Sequence, residues 1–390
     1  MISVRSVAAP LVAGLLLAGC AAGPQATRDI PPTATTSKPP TTRDAAVAEP
    51  AASLPPVATT ATRSKPDIRR LSIAMVGDMM LGTDFPENRL PDDDGKSFLS
   101  AVAPIISAAD IAIGNLEGVL VDGGTPAKDC DNPAACYLFR SPPRYAQHFV
   151  DAGFDVLSLA NNHARDFGEE GRTETMRTLQ QYGILHSGRE GDFASLSVHR
   201  LSVAVLAFAV TQESNLLHDY EQAAATIAEF GQSHDIVIVS FHGGAEGRDV
   251  LHVPFREEEY YGEPRGDVVR FARLAVDSGA DLVFGHGPHV VRGMELYKDR
   301  LIAYSLGNFA TYYGISVSGL KGVAPILQAE LNYQGRFLEG RIHSTVQVRP
   351  GGPRPDPTQK ALQVIRELSA ADLAGSGLVF SDDGRLLNGQ

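Results

Sequence analysis

Cysteine is scarce in this chain: three among 390 residues, too few to complete a thiolate metal site. Concentrated positive charge is missing as well. Lys and Arg number 34 against 46 Asp and Glu, the formal net charge is −12, and no basic cluster stands out. This argues against nucleic acid as the main partner. It does not exclude an anionic polymer, because metal ions or local Lys and Arg can supply the positive charge at a site. Long apolar runs are absent too. The nearest candidate, SVAAPLVAGLLLAG at 6–19, is too short for a membrane span.

That run has another reading. It follows the short basic start MISVR and closes on Leu17-Ala18-Gly19-Cys20, which resembles the lipobox of bacterial lipoproteins. Residues 1–20 are therefore expected to be a lipoprotein signal peptide, with Cys20 lipidated. The protein would then be lipid-anchored in the cell envelope, on a periplasmic or extracytoplasmic face. Ala21 is not an Asp-type retention signal, so the outer membrane is favoured over the inner. Residues 21–69 are rich in Pro, Thr, Ala and Ser and too poor in large apolar side chains to offset chain entropy. They read as a disordered tether. Cys130 and Cys136, in CDNPAAC, read in an exported protein as a disulfide stapling a loop, with two reduced thiols as the alternative.

From residue 70 strand-like and helix-like runs alternate. LSIAMVG (71–77), IAIG (111–114), DVLSLA (155–160), LSVAVLAFAV (201–210), DIVIVSF (235–241), DLVFG (281–285) and LIAYSLG (301–307) are short and apolar, as buried strands are. Between them lie SFLSAVAPIISAAD, PPRYAQHFVDAG, EEGRTETMRTLQQYG, YEQAAATIAEFG and GDVVRFARLAVDSG, with helical spacing. The alternation predicts an α/β fold with largely parallel strands. Residues 326–348 read as an antiparallel pair joined through Gly335. A folded domain is expected over 70–350, followed by a helical extension over 351–390 that contains TQKALQVIRELSAAD.

Polar residues able to bind metal follow these runs: Asp78 in VGDMMLG, Glu117 in IGNLEG, Asn162 and His163 in LANNHARDFG, His242 in SFHGG, and His286 and His289 in GHGPHV. An α/β sheet delivers such side chains to a crevice at the carboxyl ends of its strands. Carboxylate, amide and imidazole together suit a divalent metal and are foreign to an apolar core. Asn161 reads as a turn residue that satisfies its own backbone. Glu246, in HGGAE, is an acid or ligand candidate. Tyr304, Ser305 and Asn308, in YSLGNF, are expected to line a substrate groove, with a loop-capping amide as the alternative for Asn308.

In their order, VGDMMLG, NLEG, LANNHARDFGEEG, FHGG, GHGPHVVRGMELY and YSLGNF resemble the CapA family of capsule-synthesis proteins, from about Leu71 to about Tyr313. These are associated with poly-γ-glutamate capsules and belong to the calcineurin-like metallophosphoesterase superfamily. The resemblance implies a four-layer α/β/β/α sandwich with metals at the strand ends. It makes Asp78 the first carboxylate ligand and puts Glu117 where the superfamily has a bridging aspartate. Asn162 becomes a ligand and His163 a general acid or a stabiliser of the reacting group. His242 and His286 become ligands of one metal and His289 of the other. The sequence departs from the superfamily at Met80, where a histidine is usual, at the longer Glu117, and by one extra residue between the last two histidines.

Three functions are compatible with this pattern. The first is a CapA-like lipoprotein acting in synthesis, export or attachment of an anionic capsular polymer, with a capsule synthase as partner. It would use one or two ions of Mn, Fe or Zn. The second is a periplasmic metal-dependent phosphoesterase acting on a cell-envelope phosphoester, with His163, Asn162 and Glu246 as catalytic groups. The third is a non-catalytic envelope scaffold.

Overall fold

A computed structural model describes residues 70–127 and 137–389. The signal peptide, Cys20, the tether at 21–69 and the Cys130–Cys136 pairing expected above fall outside the described residues. The chain begins with β1 (Leu71–Met80), α1 (Ala103–Ile106), β2 (Ile111–Leu116), β3 (Val119–Leu120), β4 (Arg140–Ser141), α2 (Ala146–Ala152) and β5 (Val156–Ser158). It continues through α3 (Gly168–Gln181), β6 (Leu185–Ser187), β7 (Ala194–Val198), β8 (Leu201–Ala209), α4 (Tyr220–Ser233) and β9 (Ile236–His242). Next come a hairpin of β10 (Glu258–Tyr260) and β11 (Glu263–Gly266), then α5 (Val268–Asp277), β12 (Leu282–His286), β13 (Met294–Tyr297), β14 (Arg300–Ala303) and β15 (Asn308–Thr311). The last elements are β16 (Val323–Leu331), β17 (Phe337–Gln347), β18 (Pro353–Pro355), α6 (Lys360–Asp372), β19 (Leu378–Phe380) and β20 (Arg385–Asn388).

The strands form two main sheets. One has the order β19-β20-β17-β16-β1-β2-β5-β6, with β15 also on β1 and β18 on β17; the other runs β13-β14-β12-β9-β8-β7. Within them β1, β2, β5 and β6 are mutually parallel, as are β8, β9, β12 and β14.

Strand residues alternate between two cores, as a period of two requires. On β1, Leu71, Ile73 and Met75 face the second sheet, while Ala74 and Val76 face outward onto Ile106 of α1, Phe149 of α2 and Leu179 of α3. On β9, Ile236 and Ile238 join the inner core, while Val237, Val239 and Phe241 pack against α4 and α5. Both sheets are therefore covered on both faces, which is why these strands read as nearly unbroken apolar runs. Helices, sheet, sheet and helices make the four layers that the resemblance implies.

Two expectations change. SFLSAVAPIISAAD contains only four residues of α-helix, because Pro104 cannot donate in a helix interior and instead sits in the first turn. Residues 351–389 are no separate helical extension. β18 and β20 hydrogen-bond to β17, and Ala361, Leu362, Ile365 and Leu368 of α6 enter the inter-sheet core. Among the described residues no helix is long and apolar enough to cross a membrane.

Candidate metal centre

The site forms where the parallel strands of both sheets end. Asp78 lies near the end of β1, at a bulge that shifts register against β2 and against β15. Such bulges re-aim a side chain. Here the bulge follows Gly77, where a Cβ would meet the Gly307 carbonyl oxygen at 1.9 Å; Asp78 N donates to that same oxygen at 2.9 Å. Asn115 of β2 and Asn308 of β15 are its register partners on either side.

His242 and His286 are neighbours across β9 and β12. Their Nδ1 atoms are 3.0 Å apart and stand 4.0 and 3.6 Å from Asp78 Oδ1. A tetrahedral ion with ligand bonds of about 2.0–2.1 Å has ligand–ligand edges of roughly 3.3 Å, so these three atoms fit one cation. Burial holds the His286 pKa down at about 4 and the His242 pKa well below the ordinary imidazole range. Both rings are therefore neutral at pH 7, the form that ligates.

The other oxygen of Asp78 faces a second group. Asp78 Oδ2 is 3.2 Å from His289 Nδ1, and His289 Nε2 is 3.8 Å from Glu117 Oε1. The sequence predicts a ligand at 289, and His289 itself lies in the left-handed region at φ 60°, two residues after Gly287 at φ 112°. Non-glycine residues are uncommon there, and such positions cluster at functional sites. Burial opposes charge on His289, but Glu117 and Asp78 outweigh it and raise its pKa to about 9. Burial and the Asp78 charge push the Glu117 carboxyl well above its usual range. Burial also pushes Asp78 up, but the close approach and charge of His289 and the Asn115 amide outweigh it and hold Asp78 below its usual range.

Asp78, His242 and His286 thus make one possible ligand set, and Asp78, Glu117 and His289 a second. The carboxylate common to both is Asp78, whereas the resemblance gives the bridging position to Glu117. The reason is geometric: Asp78 leaves the sheet at the bulge and turns Oδ1 to His242 and His286 and Oδ2 to His289. Six buried polar atoms here have no hydrogen-bond partner: Asp78 Oδ2, both oxygens of Glu117, Asn162 Oδ1, and Nε2 of His242 and of His286. Unpaired buried groups cost about 1–3 kcal/mol each. A divalent cation is the partner that the orphaned Asp78 and Glu117 oxygens fit.

The surrounding residues hold the ligands in place. Asn115 Nδ2 donates to Asp78 Oδ1 at 2.9 Å, and Asn161 Nδ2 donates to Asn115 Oδ1 at 3.0 Å. Asn161 Oδ1 also accepts from the His163 amide at 3.0 Å, so Asn161 is more than a turn residue. His163 Nδ1 lies 2.7 Å from Asp166 Oδ2, its ring is 4.2 Å from that of Phe139, and its charge is felt at His242. Glu246 Oε2 is 3.6 Å from His289 Nε2, and its other oxygen is 3.1 Å from Nη2 of the fully buried Arg265. Met80 packs with Phe139 and Ile315 in a small apolar cluster, so the position of the usual histidine is dry and apolar.

The expected groove residues do not line a groove. Tyr304 lies in the outer core beneath α5, where its hydroxyl donates to Glu295. Ser305 Oγ is buried and donates to the Val290 carbonyl at 2.7 Å. Asn308 is 1 % exposed and holds His289: its Oδ1 is 2.8 Å from His289 Nδ1, and its Nδ2 donates to the carbonyls of His289, Ser316 and Lys321. The strand alternation that buries both faces of this sheet leaves YSLGNF no open surface. Asn115, Asp166 and Arg265 were not anticipated as site residues. The first two stand inside quoted motifs, two residues before Glu117 and three after His163. Arg265 sits on the β11 hairpin strand, far from any motif.

Comparison with known proteins finds relatives named for capsule synthesis. A capsule biosynthesis protein CapA of Bacillus anthracis is 27% identical over 263 residues, which cover 62% of this chain and 59% of that protein. The chain thus spans less than two thirds of that relative's length. A PGA biosynthesis protein CapA of Bacillus subtilis is 27% identical over 77% of this chain and 78% of its own length. A probable polyglutamine synthesis accessory protein of Mycobacterium tuberculosis is 28% identical over 53% of this chain and 57% of its own. Among solved structures, a 5'-nucleotidase precursor from Thermus thermophilus aligns at TM-score 0.41 and 15% identity, over 77% of this chain and 59% of its own. A hypothetical protein from the same organism aligns at TM-score 0.40 and 18% identity, over 73% of this chain and 96% of its own. The profile of the bacterial capsule synthesis protein PGA_cap matches residues 72–313, more than half of the chain, and the protein belongs to that family.

Proposed function

We propose that this protein acts at the cell envelope in the synthesis, export or attachment of an anionic capsular polymer of the poly-γ-glutamate type, through a site holding one or two divalent metal ions. The observation that carries this reading is the pair of buried ligand sets sharing Asp78, in a chain of the PGA_cap family. The printed names of the Bacillus relatives support the polymer class. Imidazole and carboxylate donors suit Mn, Fe or Zn. A lipid anchor at Cys20 keeps the site outside the cytoplasm, with the outer membrane favoured, and a capsule synthase is the partner.

When bound, the metal supplies positive charge that holds and polarises an anionic oxygen. The chain's own groups do the rest. Asn162 offers its amide oxygen. His163, oriented by Asp166, holds a proton on its ring and can deliver it to a leaving group. Glu246 stands beside His289 as a second acid or base.

The test is genetic and chemical. Deletion of the gene in the source bacterium should remove most cell-associated γ-linked polymer, wild type should restore it and Asp78→Asn should not. Unchanged polymer after deletion overturns the reading. The His163–Asp166 pair favours, as a second reading, a phosphoesterase acting on an envelope compound. In that case the full-length protein hydrolyses a generic phosphodiester and Asn162→Ala abolishes it, while deletion leaves the polymer intact. The anchor is tested by membrane fractionation, which Cys20→Ala should abolish; a soluble wild type refutes it.

A further inference from the structure

A cavity of about 290 Å³ has Asn161, Asn162, Arg165, Arg172, Glu213 and Ser214 in its wall. Asn161 donates to Asn115, and Asn115 to Asp78, so the cavity wall is two hydrogen bonds from the shared carboxylate. Its floor is cationic. Arg172 is 4 % exposed, and its Nε is buried without a hydrogen-bond partner. Its Nη1 donates to the Glu213 carbonyl at 2.7 Å and its Nη2 pairs with Glu169. Arg165 pairs with the Glu213 carboxylate and lies 3.6 Å from Glu169, and Arg189 meets Glu169 at 2.7 Å. Of the charged groups in the wall itself, Arg165 and Arg172 stand against the single carboxylate of Glu213, leaving one positive charge over in a chain whose net charge is −12. Guanidinium forks match the geometry of oxyanions. The N-terminus of α3, at Gly168, also lines the cavity and adds partial positive charge.

We infer that this cavity is an anion subsite of the metal centre, which takes one free carboxylate of the substrate chain and sets the adjoining unit against Asp78. The inference rests on the polymer reading above for the identity of the anion. A phosphate group has the same oxyanion chemistry and is the competing source. Asn162, whose Oδ1 is buried and unpartnered, belongs to the cavity wall next in sequence to Asn161, which leads to Asp78 through Asn115.

Calorimetric titration of the metal-loaded full-length protein tests it, at fixed salt, with two probes: a short oligo-γ-glutamate and inorganic phosphate. Arg165→Gln should weaken oligomer binding roughly tenfold or more, by losing a charged hydrogen-bond donor. Arg165→Lys should retain part of the affinity, and metal content should be unchanged in both. Arg172→Lys, checked for folding by thermal melt, should weaken binding as well. Wild-type oligomer affinity in both Arg165→Gln and a folded Arg172→Lys overturns the subsite and leaves the polymer reading standing. Phosphate binding that depends on Arg165, with no oligomer binding in wild type, keeps the subsite and overturns the polymer reading. Failure of wild type to bind either probe overturns the subsite.

Discussion

Nδ1 of His289 lies 2.8 Å from Oδ1 of Asn308, and this one hydrogen bond decides which face of the imidazole is left for a cation. Asn308 Nδ2 donates to three carbonyls, so its oxygen is the atom that meets the ring. An amide oxygen only accepts, so Nδ1 carries the proton and Nε2 faces Glu117 and Glu246. Outer partners of this kind typically set metal affinity by about 10–100-fold. Asn308→Ala should therefore weaken metal binding by that order in a chelator competition. Asn308→Asp keeps the acceptor but loses the three donations, so it should bind metal nearly as wild type while melting at a lower temperature.

Metal uptake should release protons. His289, with its pKa at about 9, is protonated at pH 7 in the metal-free protein, and Glu117 is pushed in the same direction. A ligand must lose its proton before it binds metal. Affinity should therefore rise with pH through neutrality and level off above about 9. Calorimetry in buffers of different ionisation enthalpy should count about one or two protons released per ion at the Glu117–His289 side. Binding that is independent of pH between 6 and 9 would contradict this electrostatic assignment.

Restoring the histidine usual in the superfamily should not restore a ligand. Met80 is 1 % exposed and packs on Phe139 and Ile315. Met80→His places a polar ring in that cluster at a cost of about 1–3 kcal/mol. The variant should melt earlier, with metal stoichiometry no higher than wild type.

The loop that carries Glu246 depends on a buried ion pair. Arg292 Nη1 and Nη2 donate to the two oxygens of Glu258 at 2.8 and 2.7 Å, and Glu258 also accepts from Ala245 N at 3.0 Å. Removing one partner of such a pair costs about 3–5 kcal/mol, because the other charge stays buried and uncompensated. Glu258→Gln should lower stability to urea by that order.

Much of this was legible in the sequence, for physical reasons. Asp78, His242 and His286 each end an apolar run, and a strand end fixes where its next side chain goes. The strands themselves were legible because both faces are covered. The place of Asp78 in both ligand sets was not, since it depends on a bulge that no composition signals. Nor was the fate of Tyr304 and Ser305, whereas Asn308 caps its loop as the alternative reading had it. A polar run after a strand reads the same whether its side chains meet solvent, a core or a neighbouring histidine. Arg265 and Arg292 reach the site region from a hairpin and a loop, through contacts that only the tertiary fold creates.

Metal analysis of the full-length protein and three variants tests the central claim most directly. After loading with Mn, Fe or Zn and removal of free ion, wild type should hold at least one equivalent. Asp78→Ala should lose all of it, because that carboxylate belongs to both ligand sets, while His286→Ala and His289→Ala should each lose only the ion on its own side. Substoichiometric metal in wild type, or an Asp78→Ala protein that holds metal as wild type does, would contradict the account.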